Sequence, residues 1–167
     1  MKKIIIVLFI VSLLIIFNKK EEILLPDDSI RFRIIANSNS LEDKQEKEVI
    51  KKDILKNIMP LISSNNYSTT KEKINNNMPL IKKELDKYNI NYQINYGMNY
   101  FPPKTYKGVK YKEGDYESLV ITIGNGLGNN YWCVLYPSLC LVEDDQEMTD
   151  IEYHSYIKDL LNKINYD

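Results

Sequence analysis

From Ile30 onward the chain alternates between two hydrophobic rhythms, and each predicts an element. Ile30, Phe32, Ile34 and Ala36 alternate with Arg31, Arg33 and Ile35, the two-residue period of a strand with one buried face. The residues NSNSLED then turn the chain and open a helix. Ser40 is placed to cap it with Asp43 three positions on, a weaker relative of the Ser/Thr-x-x-Glu box, and Asp43 suits the positive end of the helix dipole. Val49, Ile50, Ile54, Leu55, Ile58 and Met59 recur at helical spacing until Pro60, which is expected to end or bend the helix. After a polar loop over Ser63–Ser68, Thr69 and Glu72 form a capping box for a second helix. Its stripe is Ile74, Met78, Ile81, Leu85 and Tyr88, with Pro79 inside it.

The rhythm then returns to two. Ile90, Tyr92, Ile94 and Tyr96 share one face against Asn91, Gln93 and Asn95. Met98 to Gly114 has no sustained period and reads as a long ordered excursion. LVITI and YWCVLY are apolar strands on either side of GNGLGNN, which reads as a hairpin loop because Gly and Asn tolerate positive φ. Thr149 with Glu152 caps a closing helix whose apolar face is Tyr153, Tyr156, Ile157, Leu160, Leu161 and Ile164. The order predicts an α+β fold, a single domain of helices packed on a largely antiparallel sheet, over residues 30–167. Residues 21–29 form a polar connector before it.

The first twenty residues change the picture of where this domain works. A positive start leads into an unbroken apolar run, Ile4 to Phe17, followed by Asn18, Lys19 and Lys20. Fourteen helical residues span ~21 Å, short of a ~30 Å hydrocarbon core and within the usual length of a signal-peptide core. A small-residue cleavage site does not follow, so residues 1–20 are either a cleaved signal peptide or a short retained anchor, and both place the polar body outside the cytoplasm. Lys2, Lys3, Lys19 and Lys20 account for four of the 22 basic residues, leaving 18 against 23 acidic ones. A body charge of about −5 has the wrong sign for nucleic-acid binding.

Candidate chemistry is sparse. Gly124, Gly126 and Gly128 precede a strand rather than a helix, and no Gly-Lys-Ser/Thr follows, which excludes a phosphate-cradling loop. Two cysteines and one histidine, His154, are too few for a zinc site, and Cys133 and Cys140 are not spaced as a Cys-x-x-Cys redox pair. If the chain reverses near Tyr136, Pro137 and Ser138 the two sulfurs form a structural disulfide; if it runs straight they are ~23 Å apart and stay as packed thiols. No serine or cysteine has a base beside it, and Asp144 with Asp145 reads as a solvated loop. No cofactor or metal is therefore expected, and no catalytic set. Arginine usage is more pointed: against 20 lysines there are two arginines, Arg31 and Arg33, on one face of one strand. They are either exposed residues with internal acidic partners or planar forks held for a partner. Tyr131, Trp132 and Tyr136 are equally suited to a core or to a protein interface.

Two blocks carry a resemblance. RFRIIANSNSLEDK and YFPPKTYKGVKYKEGDYESLVITIGNGLGNNYWCVLYPSLCLVE are similar to the stage II sporulation protein R family of endospore-forming bacteria. That family reads approximately Arg-Phe-Arg-Val-Ile-Ala-Asn-Ser-Asp-Ser and Gly-x-Gly-x-Asn-Trp-Trp-Cys-Val-Leu-Phe-Pro-Pro-Leu-Cys there. Here Asn39 replaces Asp, Tyr131 replaces the first Trp, Tyr136 replaces Phe and Ser138 replaces the second Pro. The resemblance implies a signalling protein, not an enzyme. It would be exported from the forespore to the space between the two sporulation membranes, where it causes a mother-cell membrane aspartic protease to cleave pro-sigma-E. On that view the partner-binding candidates are Arg31, Arg33, Tyr131, Trp132 and Tyr136. The membrane would be a second partner if the N-terminal segment is uncleaved. The alternative is an extracytoplasmic enzyme that acts on cell wall through a thiol or a carboxylate.

Overall fold

The computed structural model describes residues 23–106, 109–140 and 149–164. The apolar segment 1–20 and the Asp144–Asp145 pair lie outside these residues. In chain order the elements are β1 (Ile23–Leu24), β2 (Ile30–Ile35), α1 (Leu41–Asn57), α2 (Met59–Ile62), α3 (Tyr67–Asp86), β3 (Tyr92–Phe101), β4 (Lys104–Tyr106), β5 (Val109–Tyr111), β6 (Gly114–Ile123), β7 (Asn130–Tyr136) and α4 (Asp150–Ile164). The main sheet has the order β3-β6-β2-β7, and a smaller sheet has the order β1-β5-β4. β2 pairs parallel with β6 and β1 parallel with β5, and every other pairing is antiparallel. This is the predicted α+β fold with a mostly antiparallel sheet.

The GNGLGNN segment is not a hairpin. β6 and β7 both border β2 and never pair with each other, so the loop crosses one intervening strand, a span of roughly 10 Å that a tight turn cannot cover. It does so by binding the chain where β2 ends. Gly128 N donates to Ala36 O at 2.9 Å and Leu127 N to Asn37 O at 3.0 Å. Asn125 N donates to Asn37 Oδ1 and Asn129 N to Asn39 Oδ1, each at 2.9 Å. The approach is close enough that a Cβ on Gly128 would lie 2.2 Å from Ser38 O. Gly124 also has φ +53°, a conformation costly for any residue with a Cβ.

Three other expectations are corrected. Most of the described part of the supposed excursion from Met98 is strand: β3 continues to Phe101 in unbroken register with β6, and β4 and β5 pair antiparallel. The aperiodic sequence there reflects two faces with different neighbours. The connector is not all outside the fold, because β1 pairs with β5 and both Leu25 and Ser29 are buried. The α3 cap is Asn66, whose side chain accepts from Thr69 N, so the helix opens ahead of the Thr69–Glu72 pair. The other two caps stand where the sequence places them, Ser40 accepting from Asp43 N and Thr149 exchanging hydrogen bonds with Glu152.

The sheet has a core on each face. On one side Ile30, Phe32, Ile34, Leu119, Ile121, Cys133 and Leu135 pack against Ile50, Ile54, Met59, Ile74, Ile81 and Leu85 of the first three helices. Pro60 sits in the first turn of α2, where its missing N–H costs nothing. Val49, placed by period on the apolar stripe, is instead 52% exposed at the stripe's margin. On the other side Val134 and Leu139 meet Leu25, Val109 and Tyr111, with Tyr153, Ile157 and Leu160 of α4. The result is three layers, with the main sheet in the middle.

Candidate functional site

Alternation along β2 sends Phe32 and Ile34 to the helical core and Arg31 and Arg33 to the opposite face. There the arginines stack on aromatic rings. Arg31, only 3% exposed, places its guanidinium carbon 3.6 Å from the Tyr116 ring centroid and 5.6 Å from those of Phe101 and Tyr111. Arg33 lies 5.1 Å from the Phe101 centroid and 5.5 Å from that of Trp132. The Phe101 and Trp132 rings meet edge to face at 5.1 Å, and Lys104 Nζ is 5.8 Å from the Trp132 centroid. The register explains the arrangement. Trp132 is the partner of Arg33 across β7, and the small, buried Ser118 stands beside Arg31 on β6, leaving width for a guanidinium to lie over Tyr116.

The arginines are thus not an exposed pair, Arg31 being buried and Arg33 half-buried. Among the described residues Arg33 makes no ion pair, and its buried Nε has no hydrogen-bond acceptor. Desolvation lowers its pKa from the ordinary arginine value, but a guanidinium remains a cation at any physiological pH. Packing against Phe101 and Trp132 leaves the in-plane N–H groups of the Arg33 fork at its edge, the geometry that grips a carboxylate in two places. Arg33 and Trp132 are half-buried at the rim of this ladder, whereas Arg31 is sealed inside it.

The five predicted interface residues do not form one surface. Arg31, Arg33 and Trp132 converge. Tyr131 and Tyr136 lie on the helical side, Tyr131 edge-on to Phe32 at 6.4 Å and near Lys51, Tyr136 edge-on to Tyr67 at 5.6 Å and buried. They hold the core together. Cys133 and Cys140 are joined as a disulfide with Cα atoms 5.0 Å apart, both buried, where the chain reverses through a cis Tyr136–Pro137 bond. Neither sulfur is therefore a thiol. Phe101, Tyr111 and Tyr116 complete the ladder and were missed as site residues. The Tyr116, Ser118, Val120 alternation was available to place Tyr116, but nothing local shows that Phe101 and Tyr111 return to the same face.

A second polar cluster ties α3 to the sheet. Tyr67 and Tyr96 donate to opposite oxygens of Glu117, and Lys71 Nζ pairs with it at 3.0 Å. Burial alone would raise the Glu117 pKa, yet the hydrogen bonds from Tyr67, Lys71 and Tyr96 outweigh it and hold the carboxyl below its ordinary value. The hydrogen bond to Glu117, with burial, pushes the Tyr67 pKa up to about 12. These groups satisfy one another and are structural.

Residues 26–146 match the family model described as stage II sporulation protein R. A relative from Bacillus subtilis (strain 168), named Stage II sporulation protein R, is 34% identical over 128 residues, covering 72% of this chain and 57% of that protein. This chain thus spans less than two thirds of that relative's length. No solved structure matches. The matched span contains β2, the cap of α1, the glycine loop and all of β7, so the crossed loop and the arginine–aromatic ladder are features of a chain that belongs to the stage II sporulation protein R family.

Proposed function

We propose that this protein is an exported sporulation signal that activates the mother-cell membrane aspartic protease responsible for pro-sigma-E cleavage, and that it touches the protease through the rim of the ladder, Arg33 and Trp132. The observation that carries the reading is the family match over residues 26–146. The apolar start from Ile4 to Phe17 supports export from the forespore to the intermembrane space, by a cleaved signal or a retained anchor. The Cys133–Cys140 disulfide suits an oxidising extracytoplasmic compartment and removes the nucleophile that a thiol enzyme needs. A non-enzymatic role follows from this reading. A stacked, pre-oriented arginine beside a half-buried tryptophan is the pairing that dominates many protein interfaces, and it suits a partner loop bearing a carboxylate.

The test is pro-sigma-E processing in cells that carry the protease and either export this protein or retain it in the cytoplasm. Processing is expected with export alone. Arg33→Ala and Trp132→Ala are expected to abolish it while protein level, export and the circular dichroism of the purified variants stay unchanged. Normal processing in both variants removes the ladder rim as the contact, and processing by the cytoplasmic form overturns the signal reading as a whole.

A further inference from the structure

The outer strand β3 is open in a way that outer strands rarely are. β6 pairs with it along all ten residues, from Tyr92↔Ile123 to Phe101↔Gly114, without a bulge. Its other edge carries no strand among the described residues. Natural sheet edges are protected by lysines, prolines, bulges or brevity, and β3 has none of these. No charged residue occurs from Tyr88 to Pro103, and the prolines come only after the strand ends. Met98 and Tyr100 are 66% and 55% exposed and continue the row of half-buried Tyr92, Ile94 and Tyr96, while Gln93 and Asn95 are exposed on the opposite face. The other outer strand, β7, is shorter and its pairing with β2 is broken by a register shift at Ile30/Arg31.

We propose that β3 joins antiparallel to the β3 of a second copy, making one continuous eight-stranded sheet about a twofold axis. Two-fold pairing sets each face of the strand against its like. The Tyr, Ile and Met row extends across the seam as cross-strand apolar pairs, and the exposed amides of Gln93 and Asn95, donors and acceptors at once, meet amides. A charged strand would repel its own copy. This uncharged one does not, and it offers no ion to select a charged partner segment.

Sedimentation equilibrium of the full-length chain in a mild non-ionic detergent tests the proposal independently of signalling, because the readout is mass. A dimer at micromolar concentration is expected. Asn95→Lys and Gln93→Lys, which supply the missing edge protection, are expected to raise its dissociation constant by about tenfold or more. Leu127→Lys, on an exposed loop away from β3, is expected to leave it unchanged. A monomer throughout overturns the proposal, which is also the result if the edge takes a strand of another protein. A dimer that both lysine variants leave intact, or that Leu127→Lys breaks equally, overturns it too. Should near-ultraviolet circular dichroism show either edge variant misfolded, hydrogen exchange of the unaltered chain decides. Protection of the residue 92–101 amides must rise with protein concentration, and constant protection refutes the pairing.

Discussion

At the scale of the residue, the two arginines show how one side-chain type is put to two uses by depth. Arg31 and Arg33 share a strand face and the same class of aromatic neighbour, but Arg31 is enclosed by Tyr116, Phe101 and Tyr111 while Arg33 sits at the rim. Cation–aromatic stacking strengthens as water is excluded, from under 1 kcal/mol at exposed sites to about 2 kcal/mol when desolvated. Arg31→Ala is therefore expected to lower stability by about 2 kcal/mol and Arg33→Ala by about 1 kcal/mol or less, read from urea unfolding. Equal losses would show that depth does not rank them. The alternation of IRFRIIA was enough to put both on one face. It could not reveal the stack, because Tyr116 and Phe101 lie more than sixty residues away and reach the arginines only through the β6 and β3 register.

At the scale of the element, caps and periods were legible because they are local chemistry. Ser40 and Thr149 cap where their spacing to Asp43 and Glu152 says they should. The α3 cap was misassigned because the sequence offers two competing signals three residues apart, and Asn66 wins by letting the helix begin a turn earlier at Tyr67, whose hydroxyl then reaches Glu117. Asn66→Ala is accordingly expected to destabilise the protein by about 1 kcal/mol, the usual worth of an N-cap, and Thr69→Ala to cost much less. A denaturation midpoint that falls more for Thr69→Ala would contradict the observed cap. The glycine loop failed for the opposite reason. Its residues permit a turn, but which strand lies between its ends is not a local property.

At the scale of the whole molecule, the Glu117 cluster couples helix α3 to the sheet, and its titration gives the fold a pH signature. The folded carboxyl lies below its ordinary value, so its contribution is complete above the unfolded glutamate pKa of about 4.3 and is lost as pH falls through the lowered folded value. Tyr67 runs the other way: raised to about 12, it contributes fully below the ordinary tyrosine pKa of about 10 and loses that contribution as pH rises through the folded value. Glu117→Gln is expected to flatten the acid limb of a stability–pH curve measured by urea unfolding. An unchanged acid limb would assign it to other carboxylates. The sequence by itself determined the α+β class, the strand and helix periods, two of three caps, the exclusion of a phosphate loop and the family resemblance, since each depends on residues near one another in the chain or on a contiguous motif. Only the tertiary structure decided that β2 inserts between β6 and β7, that Tyr131 and Tyr136 belong to the core while Trp132 stands with the arginines, and that β3 is left as an uncharged edge. Strand order and the meeting of opposite faces are set by burial summed over the whole chain, and no local spacing encodes that sum.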